Sequence, residues 1–394
     1  MKKIYQSSAL VLPVLCLLSG IPAYAGEPNE MDAMKKQIHE LITQNQQLNQ
    51  RIAKMEQKVK TQEAKIAEKY EKLPLQSELD EDKDTSNRIG EYITFGGAIE
   101  VEASWSEDFE GASSSSVDLA TAEFSFEAQV SKWARGVMAI EWDDDDDKLT
   151  IDETFIFIGN TDEIPVFLQA GRFIVPFGIY EGNTISDPLT NEAFETKEDA
   201  VLAGFESNGF YANAYVFNGE TNEGGGDDII EHFGGNLGYH MASDTMKFGS
   251  SIDFISSIFD SDGLTDGFQD SLDSDYAPGL AVHTIFEMDG FGIIGEYITA
   301  LDDVDGIEPK AWQIEGFYET EVRGRGLIFS LGYSETEELG GILPESRIAA
   351  ALGVDLFDGV GLTFEYLHEE DYEEVDNGTG EAADAFTTQL AYEF

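Results

Sequence analysis

From residue 90 to the end of the chain, apolar and polar side chains alternate with a period of two. Ile93, Phe95, Gly97, Ile99, Val101, Ala103 and Trp105 fall on one face; Thr94, Gly96, Ala98, Glu100, Glu102 and Ser104 fall on the other. The pattern returns at Ala120, Ala122, Phe124, Phe126, Ala128 and Val130 against Thr121, Glu123, Ser125, Glu127 and Gln129. It returns again at Ile348, Ala350, Leu352, Val354 and Leu356, and at Val360, Leu362, Phe364 and Tyr366. Period two predicts β-strands. Strands of about ten residues, apolar on one side and polar on the other, suit a membrane barrel. A soluble sandwich presents the same alternation to a second sheet, so further features have to decide.

Three do. First, connections alternate in length. Short turns fit at Ser131–Gly136, Gly159–Pro165, Ser207–Gly209, Met241–Asp244, Met288–Gly290, Glu321–Arg325 and Phe357–Gly359. Longer acidic loops lie near 106–116, 143–148, 174–199, 218–230, 256–277, 301–309, 335–345 and 369–382. Seven turns and eight loops imply 16 strands, with both ends at the short-turn side, as in bacterial outer-membrane barrels. Second, the chain closes on Phe394 with Tyr392, Leu390, Thr388 and Phe386 at alternate positions. A terminal Phe on an alternating strand resembles the signal by which the barrel assembly machinery takes up Gram-negative outer-membrane proteins. Third, Trp105, Trp133, Trp142, Tyr297, Trp312, Tyr333 and Tyr366 sit at strand ends, where interfacial girdles form. The predicted fold class is an all-β transmembrane barrel of about 16 antiparallel strands over 90–394.

Upstream the period changes. With Met31, Ile38, Asn45, Ile52, Val59, Ile66 and Leu73 at position a, Met34, Leu41, Leu48, Met55, Gln62 and Lys69 fall at d. This heptad repeat predicts an N-terminal α-helical coiled coil over 26–73, hence self-association, with Asn45 fixing register. Pro74 stops it, and 74–89 reads as a polar linker. Lys2 and Lys3, the apolar run Ala9–Leu18 and Ala23-Tyr24-Ala25 predict a signal peptide over 1–25. The single cysteine, Cys16, lies within it. The expected place is the Gram-negative outer membrane, with the coiled coil in the periplasm and outer-membrane lipid around the barrel.

Charge sharpens the division. The 394 residues carry 23 Lys+Arg and 78 Asp+Glu, net −55. Residues 1–90 hold 13 of each sign; residues 91–394 hold ten basic and 65 acidic residues. Such a chain has no basic footprint for nucleic acid. A 16-strand barrel is wide enough for an aqueous channel, so the lumen face carries the candidate chemistry. The pore-lining candidates are Glu100, Glu102, Glu123, Glu127, Glu141, Asp253, Glu315, Asp355 and Glu365, with the cations Arg172, Lys247 and Arg347. A carboxylate lining favours cations or neutral solutes. The loop 174–199 follows Leu168–Gly178, and Pro176, Phe177 and Gly178 are candidates for a constriction. Asp260, Asp262 and Asp266 are spaced for a hard cation such as Ca²⁺ but lack an EF-hand's Glu at position 12. Without a nucleophile, metalloprotease or phosphate-binding motif, no enzyme and no cofactor are expected.

The run Ala170-Gly171-Arg172-Phe173-Ile174-Val175-Pro176-Phe177-Gly178 resembles the post-strand motif of phosphate-selective-type porins. The wider pattern more nearly resembles the legiobactin-type (LbtU-like) siderophore porin family. It rests on the signal peptide and heptad helix, then Glu91–Trp105, Asp152–Asn160 and Leu168–Glu181, and it covers the mature chain. The resemblance implies plug-free outer-membrane uptake of a ferric siderophore. It implies no ligand residues. An anionic ferric siderophore fits an acidic lumen poorly, unless the solute is neutral or cationic, or Arg172, Lys247 and Arg347 make an anion path. The expected function is facilitated diffusion of a ferric siderophore or another small solute by a homo-oligomer, a trimer by porin analogy. A general cation-preferring porin and a structural or adhesive outer-membrane protein are the alternatives.

Overall fold

The computed structural model describes residues 92–143, 148–219, 230–243, 245–268 and 276–394, all within one unit, Asp84–Phe394. The signal peptide 1–25, the heptad helix 26–73 and the linker 74–89 lie outside the described residues.

The alternating segments form 16 strands. They are β1 (Ile93–Glu107), β2 (Ser113–Ser131), β3 (Ala134–Asp143), β4 (Lys148–Asn160), β5 (Ile164–Ile174), β6 (Lys197–Ser207), β7 (Phe210–Phe217) and β8 (His232–Ala242). The second half comprises β9 (Met246–Ile255), β10 (Gly279–Met288), β11 (Phe291–Ala300), β12 (Lys310–Val322), β13 (Arg325–Glu337), β14 (Ser346–Phe357), β15 (Val360–Glu370) and β16 (Ala382–Glu393). Each pairs antiparallel with its chain neighbours, and β1 pairs with β16, closing the barrel. Closure leaves no unpaired edge, the condition for a sheet in lipid.

The closing seam depends on small size at one position. Gly97 N donates to Phe394 O at 3.2 Å, and Phe394 N donates back to Gly97 O at 3.1 Å. A Cβ on Gly97 would lie 2.6 Å from Glu123 O and 2.8 Å from the Phe394 ring. Phe386, Leu390, Tyr392 and Phe394 are all exposed on the outer face, as are Phe95, Ile99, Val101 and Trp105 of β1. An apolar face this continuous is a lipid-facing one. Tyr297 and Tyr366 are exposed in it, and Trp312 packs on Tyr333 at 5.3 Å between ring centres. The alternation of β2 breaks at one point. Glu100 faces Thr121, but Val101 faces Leu119. Ala120 is therefore a bulge, and below it the outer face passes to Leu119 and Val117.

A core lies inside the barrel, toward the long-loop end. Phe173, Phe177, Phe194, Phe217, Phe259 and Leu264 are buried there with Ile298 and Leu339. They come from the walls and from three inward loops. Two short helices, α1 (Leu189–Phe194) and α2 (Asp262–Phe268), pack on each other within it. Folded chain thus occupies part of the lumen in this half.

Candidate functional site

The segment 175–196, between β5 and β6, runs inward. Gly171 has φ +140° and Gly178 φ +84°, values that let the chain leave the wall and turn. Inside the barrel an irregular segment has no neighbouring strand, so its backbone N–H groups need other acceptors. Wall carboxylates supply them. Gly178 N donates to Asp253 Oδ2 (3.1 Å) and Ile179 N to Glu296 Oε1 (2.6 Å). Asn183 N and Nδ2 donate to Glu315 (3.1 and 2.6 Å to Oε1). Ile185 N (2.6 Å), Ser186 N (3.1 Å) and Ser186 Oγ (2.6 Å) all donate to Glu365. From the wall, Ser330 Oγ donates to Asn183 O at 3.1 Å. Arg347 completes the attachment: Nη1 donates to Asp187 O (2.6 Å), Nε to Glu369 Oε1 (2.7 Å), and the guanidinium pairs with Glu192.

Apolar contacts hold the far end of the segment. Phe177, Leu189 and Phe194 are buried, and Tyr180 OH donates to Phe194 O at 2.6 Å. Burial pushes the Tyr180 hydroxyl well above the usual phenol range, and the neighbouring Glu296 charge adds to this. It therefore stays a donor. The second inward loop is tied on by Asp262 N to Glu195 O and Ser261 Oγ to Ala193 O, both 2.9 Å.

The inner wall is thereby divided. Asp253, Glu315, Glu365 and Arg347 face inward but are covered by the segment and bonded to it. Glu100, Glu102, Glu123, Glu127 and Glu141, on β1 to β3, keep contact with solvent. Thr121 Oγ1 donates to Glu100 Oε2 (2.8 Å), and Gln389 Nε2 to Glu102 Oε1 (2.9 Å). Lys247 also faces inward, paired with Glu287 at 2.7 Å. Asp355 lies at the short-turn end, beside a cavity of about 770 Å³ that Glu100, Arg325 and Gln389 also line.

Three expectations need correction. Arg172 is not in the lumen. It shares its face with Val166, Leu168 and Ile174, which are exposed on the outer surface, and makes a two-bond pair with Asp199 (3.0 and 3.2 Å). β5 is apolar on both faces because Phe167 and Phe173 face the interior, so alternation alone does not orient it. Second, Phe177 is buried in the core and Gly178 N is bonded to Asp253, so Pro176–Gly178 anchors the segment. Its solvent-exposed charged residues are Glu181 and Asp187. Third, Asp260 and Asp262 of the acidic loop do not converge. Asp260 is buried 3.3 Å from His232, whereas Asp262 is exposed in the first turn of α2. The Asp266 side chain lies outside the described residues. Among the described residues no group of three or more His, Cys, Asp or Glu converges for a metal.

Sequence reasoning missed Glu181, Asp187, Glu296 and Arg135. Glu296 sits between Ile294 and Ile298, both buried, in a run whose apolar residues resemble a lipid face. Asp187 has one signal, Asp-Pro after a run of small polar residues, which marks a turn. Its carboxyl reaches solvent but is enclosed by loop and wall. This burial raises its pKa, Arg347 opposes the shift, and Glu365 and Glu100 add to it.

No family model matches the chain. A UPF0422 protein of Coxiella burnetii is 26% identical over 300 residues, covering 71% of this chain and 64% of that protein. A UPF0422 protein of Legionella pneumophila strain Lens is 24% identical over 333 residues, covering 75% and 62%. The chain thus spans less than two thirds of the length of these relatives. Among solved structures, an anion-selective porin from Comamonas acidovorans matches with a TM-score of 0.55 at 11% identity, covering 77% of this chain and 99% of that one. The outer-membrane channel DcaP of Acinetobacter baumannii gives 0.56 at 13%, covering 77% and 97%. A trimer form of OmpT, an outer-membrane protein of Vibrio cholerae, gives 0.50 at 13%, covering 77% and 99%. At these identities the likeness is one of fold: a porin-type outer-membrane barrel.

Proposed function

We propose that the chain forms an outer-membrane channel for facilitated diffusion of a solute with net positive or zero charge. One observation carries this. The wall carboxylates under the loop accept its N–H donors, while the charged groups left facing solvent on the loop and on β1 and β2 are carboxylates. They are Glu181 and Asp187 on the loop and Glu100, Glu102 and Glu123 on β1 and β2. The three cations proposed for an anion path do not offer one: Arg172 faces outward, Arg347 is bonded to Glu192 and Glu369, and Lys247 to Glu287. A narrow passage with one sign of charge concentrates counter-ions and rejects co-ions. Weak binding along it permits release on the far side.

The resemblance to siderophore porins narrows the solute to a ferric siderophore whose iron complex is neutral or cationic. The trimer form of a fold relative supports a homo-oligomer, as does the heptad pattern of 26–73. The test is single-channel recording in a planar bilayer, with a KCl gradient and then a cationic ferric siderophore. A cation-selective reversal potential, with block by the iron-loaded but not the iron-free form, supports the full reading. Cation selectivity without block reduces it to a general porin. Anion selectivity refutes it. Folded protein without conductance leaves the structural or adhesive role.

A further inference from the structure

The inner wall of β3 to β6, near the short-turn end, carries groups that the acidic passage does not use. Arg135 and Phe157 are cross-strand partners, and the guanidinium lies 4.7 Å from the Phe157 ring centre. Phe157 stacks on Phe167, with centres 5.1 Å apart and planes 26° apart. Phe167 lies against the wall because the next strand offers Gly204, where any Cβ would run into its ring. The result is a stack of a guanidinium and two rings along the wall.

Arg135 is under-used. Among the described residues its one ion pair is Nη1 to Glu127 at 3.5 Å, the outer limit of a hydrogen bond, and its buried Nε has no acceptor. Arg347 and Arg172, by contrast, each hold carboxylates by two or more bonds. A guanidinium with spare donors in a fixed fork matches a carboxylate. Arg135, Phe157 and Phe167 line a cavity of about 460 Å³. Glu206 and Asp162 line it too, as does Lys132, which is paired with Glu163. That volume is typical of small-molecule sites. Among the described residues the Glu206 carboxylate makes one long ion-pair contact, 3.6 Å to His240. A simple anion in this cavity meets Glu206, and a simple cation meets Arg135. A molecule carrying both charges meets groups of opposite sign to each of its own in this cavity.

We propose that this cavity is a docking subsite for a zwitterion bearing a flat ring, an aromatic α-amino acid. Its carboxylate sits on Arg135, its ring against Phe157 and Phe167, and its ammonium toward Glu206. Such a solute has zero net charge and so passes the acidic wall; the route of entry rests on the channel reading, but the binding does not. Binding is weak, of order millimolar, since a channel site has to release its solute.

The test uses the full chain folded in detergent micelles and saturation-transfer NMR with L-phenylalanine. L-alanine (no ring), 2-phenylethylamine (no carboxylate) and 3-phenylpropionate (no ammonium) are the comparators. Phenylalanine is expected to bind saturably and each comparator about tenfold more weakly, the scale of one charge pair or stacked ring. Arg135→Gln and the conservative Phe157→Leu are each expected to weaken it about tenfold, while Arg172→Gln, on the outer surface, leaves it unchanged. The comparators need only the native protein, so the test survives a variant that does not fold. Phenylalanine binding no tighter than alanine, or wild-type binding by folded Arg135→Gln, overturns the subsite. Binding without conductance upholds the subsite and refutes only the channel; conductance without ring preference does the reverse.

Discussion

Replacing Glu365 by Leu removes the acceptor of three hydrogen bonds from the inward segment: Ile185 N, Ser186 N and Ser186 Oγ. A hydrogen bond to a charged group contributes about 1.5–3 kcal/mol net. The three share one carboxylate, so they do not add in full; a loss of about 4 kcal/mol for this stretch is reasonable. Relief of repulsion with Glu315 returns about 1 kcal/mol. The remaining ~3 kcal/mol raises the detached population of residues 183–188 by about two decades, at 1.4 kcal/mol per decade. The barrel is untouched, because its ladder does not pass through this side chain. Single-channel conductance should therefore rise and cation selectivity fall, since the exposed Asp187 carboxylate leaves its place on the inward segment. Heat-modifiable mobility on gels, a measure of the folded barrel, should stay as in wild type. Glu365→Gln, which keeps one acceptor, should fall between. Wild-type conductance and reversal potential in a folded Glu365→Leu protein would refute the view that wall carboxylates hold this segment.

Four further outcomes are expected. The raised pKa of Asp187 means that its charge is lost at higher pH than an ordinary aspartate's, so cation selectivity should decline early as pH falls, and Asp187→Asn should flatten that decline in reversal-potential measurements. Because the folded-state pKa lies above the unfolded one, ionised Asp187 costs stability at neutral pH and nothing below the unfolded pKa, so the Asn variant should unfold at higher temperature at pH 7 but not at pH 3. Gly97→Leu puts side-chain atoms where Glu123 O and the Phe394 ring already lie, and should abolish the heat-modifiable band by preventing closure. Arg172→Ala should leave conductance and reversal potential unchanged, since its guanidinium faces the outer surface; a shift of the reversal potential toward cations would place it in the lumen after all.

The sequence determined the barrel. Strand periodicity is local, and so is the difference between a two-residue turn and a twenty-residue loop. Together these gave 16 strands, their outer faces at Ile99, Val101 and Leu390, and the end that holds Phe394. Alternation also placed Glu100, Glu102, Glu123, Glu127 and Glu141 on the inner wall, because their opposite faces are plainly apolar. It could not orient β5 or β11, where Phe167, Phe173, Ile294 and Ile298 face an internal core and both faces look greasy. Only the tertiary structure decided what the inner carboxylates do. Glu365 meets Ser186 from 179 positions away, and Glu315 meets Asn183 from 132. Both glutamates read in sequence like Glu100, which stays open to solvent. What separates them is whether a loop from elsewhere in the chain lies over them. That follows from packing Phe177, Phe194 and Phe259 together inside the barrel, and no local pattern records it.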